Sequence, residues 1–419
     1  MRFVVAAIVL CVVAYGAAAY PAPDSPFGIC ATTWSHAGAG TARFDREGPG
    51  RRLALVKELG AAWERCDFWW SRLEPEPGKY QFSDYDFAVE QYHRLDVNLL
   101  AILCYSSAWH GRPPDTDEER GRYADWVAAM VSRYKGKVAA WEIWNEPNIS
   151  QFWPPQPNVD NYAAMLREAY RAAKRADPGC VIVGGVTAGI GSDFIERLFE
   201  LGGGDFMDVI SVHPYQGHPP EQIMPEGLEA LKALMARHQF RKPIWMTEVG
   251  FQTKPAEHAV VTEHEQAEWL VRTNVLALAA GVEKVFWFNL QDWSETWGLI
   301  RSDWTKKDSY WAYRTMTRTL GRAHFLRRLP APEGCWLFAF RHPRAGDRAV
   351  IVAWCTAPAD NETVVSVPSA GTRVLARGVT GERVEGQAAN KRITFALSSS
   401  PVFIYRVPTA ELDGVRVSP

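Results

Sequence analysis

The sequence predicts an α/β protein: a (β/α)8 barrel followed by a small β-sandwich. Between about residues 27 and 322, strand-like apolar runs alternate with amphipathic helical segments eight times, the pattern of a closed parallel sheet wrapped in helices. Two of those runs end on a glutamate, and ends of barrel strands are where catalytic groups gather. Beyond about residue 322 the helical spacing gives way to short β runs separated by Gly, Pro, Asn and Asp. These observations divide the chain into residues 1–19, 20–322 and 323–419.

Residues 1–19 read as a secretory signal. Arg2 supplies the positive start, residues 3–15 the apolar stretch, and Ala17-Ala18-Ala19 a small-residue cleavage site, so export to a secreted or periplasmic location is expected. Cys11 follows the bulky Leu10 and so lacks the look of a lipid-attachment cysteine. No other run of about 18 apolar residues exists, so no stable membrane association is expected.

Barrel strands are predicted at 27–33, 62–68, 98–105, 138–146, 180–187, 208–215, 243–251 and 284–292, where β-branched and aromatic residues concentrate. Helices fill the intervals. The segment 160–176 carries Tyr162, Leu166, Ala169 and Ala173 at helical spacing and stops at Asp177-Pro178-Gly179, and 263–280 stops at Gly281. In the tail, strands are predicted at 336–340, 349–354, 363–367 and 402–406. Trp336 and Trp354 sit there in core-like alternation, which favours a packed accessory domain over a sugar-binding module.

Composition narrows the partners. The 419 residues are 47% hydrophobic and 22% charged, and 46 basic against 48 acidic residues leave a formal charge of −2 with no long run of either sign. Nothing resembles a footprint for nucleic acid or an anionic membrane. No Cys or His spacing suits a metal and no glycine-rich loop suits a phosphate, so neither metal nor cofactor is expected. Cys30, Cys66, Cys104 and Cys180 fall in predicted barrel strands, where small buried packing is their ordinary role. Cys335 and Cys355 lie on two tail strands and could pair in an oxidising compartment. Asn148-Ile-Ser150 and Asn361-Glu-Thr363 are glycosylation sequons, the first so near Glu146 that a glycan would crowd the cleft.

Chemistry concentrates at the strand ends. Trp141-Glu142-Ile143-Trp144-Asn145-Glu146-Pro147 closes the fourth strand on an amide and a carboxylate, with Pro147 barring a longer ladder. Pro243 to Phe251 is a second apolar run, holding Glu248 and then Gly250, which lets the backbone come close to a ligand. Two glutamates on separate strand ends suit acid and base work on one bond. In these motifs the sequence resembles the retaining glycoside hydrolases of clan A, especially families 5 and 39, over roughly residues 27 to 322.

The resemblance implies a carbohydrate substrate, Glu248 as nucleophile and Glu146 as acid/base, and cleavage of β-glycosidic bonds through a covalent glycosyl-enzyme intermediate. It further implies that Asn145 holds the sugar 2-hydroxyl, that Tyr215 in His213-Pro214-Tyr215 donates to Glu248, and that Trp287 floors the subsite of the cleaved sugar. Arg65 lies where the clan carries an arginine under the nucleophile; buried, it needs a carboxylate, and Glu248 or Glu142 would serve. His110 follows the third strand where family 5 places a histidine. Trp34, Trp109, Trp153, Trp293 and Trp297 fall at or after strand ends and are candidate cleft walls, with 291–297 the loop expected to shape leaving-group specificity. A glycan-binding protein without turnover, or a transglycosylase, would share most of these residues.

Overall fold

The computed structural model of the chain describes residues 25–31, 49–191, 193–254, 261–356, 363–369 and 374–418. The leader with Cys11, as well as Trp34 and Asn361, lies outside the described residues.

Eight parallel strands close into a barrel. In chain order these and their helices are β1 (Phe27–Cys30), α1 (Pro49–Leu59), β2 (Trp63–Trp69), α2 (Trp70–Leu73), α3 (Ser83–Arg94), β3 (Asn98–Cys104), α4 (Asp117–Arg133), β4 (Ala140–Ile143) and α5 (Val159–Ala176). The second half runs β5 (Ile182–Ala188), α6 (Asp193–Glu200), β6 (Val209–His213), α7 (Pro220–Arg237), β7 (Ile244–Val249), α8 (Glu263–Ala279), β8 (Lys284–Phe288) and α9 (Asp308–Leu320). Helix starts follow side-chain capping: Thr116 with Glu119, and Thr262 with Glu265, form reciprocal capping boxes ahead of α4 and α8.

Alternation along each strand splits the core. Residues such as Phe27, Leu99, Trp141, Ile182 and Trp287 face the helices, and Trp63, Leu100, Ala140, Val209, Trp245 and Phe286 fill the barrel interior. Register is interrupted in β7 between Met246 and Val249. Neighbours Thr247 and Glu248 can therefore both meet lumen partners, which a regular strand would forbid.

After α9, β9 (His324–Arg328), β10 (Cys335–Arg341), β11 (Arg348–Cys355), β12 (Val364–Pro368), β13 (Leu375–Arg377), β14 (Arg383–Val384), β15 (Gln387–Ala389), β16 (Arg392–Ala396), β17 (Val402–Pro408) and β18 (Arg416–Ser418) form two sheets. Their orders are β14-β13-β17-β11-β10-β9 and β15-β16-β12-β18, with antiparallel pairing. Cys335 and Cys355, opposite one another in register with Cα atoms 4.1 Å apart, are joined by a disulfide. The tail packs on the barrel through Phe338, Phe340, Val352, Trp354 and Phe403, which belong to the same core as the helix layer. Trp354 is fully buried and donates to Glu221 of α7 at 2.8 Å, while Trp336 stacks on Trp354, so neither is a free sugar platform. Among the described residues no helix is long and apolar enough to cross a membrane.

Candidate active site

The sequence-predicted residues of β2, β4, β6 and β7 converge at the carboxyl end of the barrel. β4 stops at Ile143, and the chain turns sharply: Trp144 and Glu146 have positive φ, 67° and 41°. Non-glycine residues adopt that conformation rarely and at a cost of order 1–3 kcal/mol, which persists where surrounding contacts enforce it. Here Asn148 enforces it, its side chain donating to the Ala188 carbonyl at 2.9 Å and accepting from the Ala188 amide at 2.8 Å. The turn faces Glu146 into the cleft, 6% exposed.

Arg65 of β2, almost wholly buried, organises the floor. Its guanidinium donates through Nε to Glu142 at 2.8 Å, through Nη2 to Asn145 Oδ1 at 2.8 Å, and through Nη1 to Glu248. Glu142 has no exposed side-chain surface and Glu248 retains 12%. Of the two carboxylates the sequence offered Arg65, the structure pairs it with both. One guanidinium thus serves as counter-ion to a buried structural carboxylate and to one that opens on the cleft.

Tyr215, two residues beyond β6, donates to Glu248 Oε2 at 2.7 Å. Burial alone would raise the pKa of Glu248, but the charge of Arg65, the nearby His213 and the Tyr215 hydroxyl outweigh it and hold the carboxyl below the ordinary glutamate range. Burial and then the Glu248 charge push the Tyr215 phenol well above its usual value, so it stays a donor.

A second chain of contacts serves Glu146. His213 Nδ1 lies 2.8 Å from Glu146 Oε1, its Nε2 2.9 Å from Thr247 Oγ1, and Thr247 meets the buried Ser211 hydroxyl. The hydroxyls can donate or accept in turn, so the imidazole can take either tautomer and follow the protonation of Glu146. Glu146, His213 and Glu248 each bring one atom within 4.8 Å of the others, and are the described residues that could together ligate a metal. Arg65 already gives Glu248 a positive partner, and the Tyr215 hydroxyl gives it a hydrogen-bond donor.

Aromatic rings flank the pair on two sides. Trp69 at the end of β2 clusters with Tyr105 and Phe152, which follow β3 and β4, and Tyr105 and Phe152 are stacked at 5.7 Å. Phe288 at the end of β8 clusters with Tyr215, beyond β6, and with Trp293 and Trp297, beyond β8, Trp293 being 36% exposed.

Several sequence expectations need correcting. Trp287 has no exposed surface and packs on Phe251 in the helix layer, so it cannot floor a subsite; Phe288, one residue on, takes the lumen position. Trp153 is 3% exposed and sits edge-on to Trp144 and Tyr162 as core. Trp109 packs against Trp70, and His110 lies 3.2 Å from Glu119 of α4, a carboxylate it shares with Arg112; both brace the loop after β3 and do not join the glutamate pair. Gly250 is required because a Cβ there would meet the Phe288 carbonyl at 2.1 Å, so the close approach is to β8 and not to a ligand. The sequence reading passed over Phe288, Trp69, Tyr105 and the inward carboxylate Asp67; counting alternate residues from Trp63 and Lys284 would have pointed all but Tyr105 into the lumen.

Comparison with known proteins bears on the family and the fold. Residues 117–313 match the glycosyl hydrolase catalytic core family. Endo-1,4-beta-xylanase 3 of Hypocrea jecorina is 27% identical over 141 residues, covering 30% of this chain and 39% of the xylanase. The beta-xylosidase of Geobacillus stearothermophilus is 25% identical over 223 residues, 42% of each chain. The chain thus spans about two fifths of the length of these curated relatives. A family 39 glycoside hydrolase from Bacteroides cellulosilyticus superposes with a TM-score of 0.74 at 23% identity, covering 92% of this chain and 81% of that one. The chain resembles the clan A glycoside hydrolases: residues 117–313 match a glycosyl hydrolase catalytic core, and its barrel-and-sandwich fold is similar to that of a family 39 enzyme.

Proposed function

We propose that the chain is a retaining glycoside hydrolase. The observation that carries the reading is the pairing of Glu146 and Glu248 with oxygens within 4.8 Å, each held by its own partners. Retaining enzymes set their carboxyl groups about 5 to 5.5 Å apart, whereas inverting ones leave about 6.5 to 9.5 Å for a water.

Glu248, kept ionised by Arg65 and Tyr215, attacks the anomeric carbon as Glu146 gives its proton to the departing glycosidic oxygen. The C–O bond to the leaving sugar breaks as the ester to Glu248 forms. Glu146, now a carboxylate, accepts a proton from water; the hydroxide attacks the same carbon and frees Glu248. His213 holds Glu146 Oε1, leaving Oε2 for the proton transfers. Asn145, oriented by Arg65, has its amide NH2 left to donate to a sugar hydroxyl.

The matched relatives are named xylanases and a xylosidase, so β-linked xylose polymers and aryl β-xylosides are the first substrates to try. Export is part of the proposal, supported by the leader-like start and by the Cys335–Cys355 disulfide. Azide rescue tests the roles: Glu248→Ala should yield the inverted glycosyl azide and Glu146→Ala the retained one. No rescue of either, with wild type active, would refute the assignment.

A further inference from the structure

Away from the glutamates, a cavity of about 1000 Å³ lies where α9 meets the larger tail sheet. Its walls carry Arg314 and Arg318 from α9, Arg344 and Arg348 from the β10–β11 turn and β11, and Arg377, Arg383 and Arg406 from β13, β14 and β17, without one Asp or Glu. In a chain of nearly balanced charge, seven guanidiniums around one space repel one another unless something neutralises them.

The protein's own carboxylates do so only in part. Arg383 pairs with Glu385 at 2.8 Å, and Arg377 donates to the Gly381 carbonyl at 2.6 Å. Among the described residues, Arg318, Arg344, Arg348 and Arg406 have no carboxylate partner, and Arg314 Nε is buried without an acceptor. Burial, with Arg322 and Arg344 nearby, holds His342 on the rim below its ordinary pKa, as a positive potential requires.

The backbone is shaped to the cavity. β11 and β17 lose register between Ala349 and Ile351, so that Tyr405 and Arg406 oppose Val350 alone, and Arg406 takes a left-handed φ of 67°. Such a bulge bends the strand and re-aims its side chains. Between the cations the wall is apolar, from Ala349, Val350, Leu375 and Ala376, with the Tyr405 ring tied through its hydroxyl to Thr319 at 2.8 Å.

We propose that this junction cavity binds an anionic glycan, with acid groups on its guanidiniums and sugar-ring faces on its aliphatic and tyrosine wall. A single phosphate would leave most of the arginines unneutralised, whereas a chain bearing an acid group on successive sugars reaches several, each guanidinium fork matching a carboxylate. The sugar part of the assignment rests on the hydrolase reading; the anion part does not.

The test is affinity electrophoresis and calorimetry of the full chain with polygalacturonate, dextran sulfate, neutral xylan, single-stranded DNA and inorganic phosphate. Binding to polygalacturonate or dextran sulfate is expected at about 20 mM NaCl and should fade by about 300 mM, as screened ion pairs do. The Arg344→Ala/Arg348→Ala double variant, which removes two exposed side chains, should bind about tenfold more weakly with unchanged turnover of a small neutral glycoside. Binding to the sulfated but not the carboxylated polymer would set the acid as sulfate within the same proposal. Equal binding by the double variant, no binding to either acidic glycan at low salt, or DNA bound as tightly as they are would each overturn it. Glu248→Ala should bind like wild type: lost hydrolysis with kept binding bears only on the catalytic assignment, and kept hydrolysis without binding only on this one.

Discussion

Replacing Tyr215 by phenylalanine removes one hydroxyl, 2.7 Å from Glu248 Oε2, and leaves the ring among Phe288 and Trp297. A hydrogen bond to a charged partner contributes about 1.5–3 kcal/mol. Its loss should therefore raise the Glu248 pKa in the variant. In wild type that pKa lies below the ordinary glutamate range, so the acid limb of kcat/KM should lie there too, and in Tyr215→Phe it should move up. Stability carries the same sign. A carboxyl depressed on folding stabilises the protein above its unfolded pKa and loses that contribution as pH falls through the folded value. The variant should therefore be less stable than wild type at neutral pH, and the gap should close in strong acid. The assay is kcat/KM for an aryl β-xyloside against pH, with melting curves at matching values. A loss of activity equal at every pH, with the acid limb fixed, would refute the reasoning and place the Tyr215 hydroxyl on the substrate.

Other outcomes follow from the same geometry. Asp67, beside Arg65 on β2, is pushed up to about 6 by burial, so its charged form destabilises the fold above that pH and not below its unfolded value near 3.9; Asp67→Asn should gain about 2–3 kcal/mol at neutral pH and almost nothing at about pH 4, read by denaturant unfolding. Phe288→Ala should raise KM roughly three- to tenfold with little change in kcat, whereas Trp287→Phe should leave KM alone and cost about 1–3 kcal/mol of stability as a core cavity. Lys307, buried 2.9 Å from Asp292, pins the loop after β8; Lys307→Ala should cost about 3–5 kcal/mol by stranding the Asp292 carboxylate, and the difference from wild type should narrow in acid because burial raises that carboxyl's pKa.

Much of this was legible in the sequence because periodicity reports directly on a barrel. All eight strands fall within the predicted runs to within a residue or two, and Glu146, Glu248, Asn145, Arg65 and Tyr215 meet because strand ends of a closed parallel sheet share one rim. What the sequence hid was mostly face. Trp287 carries the apolar ring expected of a platform, but alternation turns it outward and gives Phe288 the lumen. The bulge in β7 works in the opposite sense, letting Thr247 and Glu248 both reach site residues although strict alternation would separate them. Loop tryptophans were beyond reach for another reason: whether Trp153 or Trp293 meets solvent depends on packing between distant segments, and only Trp293 does. The arginine cavity is invisible as a motif because its seven members are scattered from residue 314 to 406 and meet only where the tail sheet packs on α9.

The central claim is that Glu248 becomes covalently glycosylated, and trapping that ester tests it most directly. Wild type should be inactivated in time by a 2-deoxy-2-fluoro β-xyloside with a good leaving group, and peptide mass spectrometry should find one fluorosugar on the peptide containing Glu248. A label on a peptide without Glu248, or turnover of β-xylosides releasing the α-anomer first, would contradict the account.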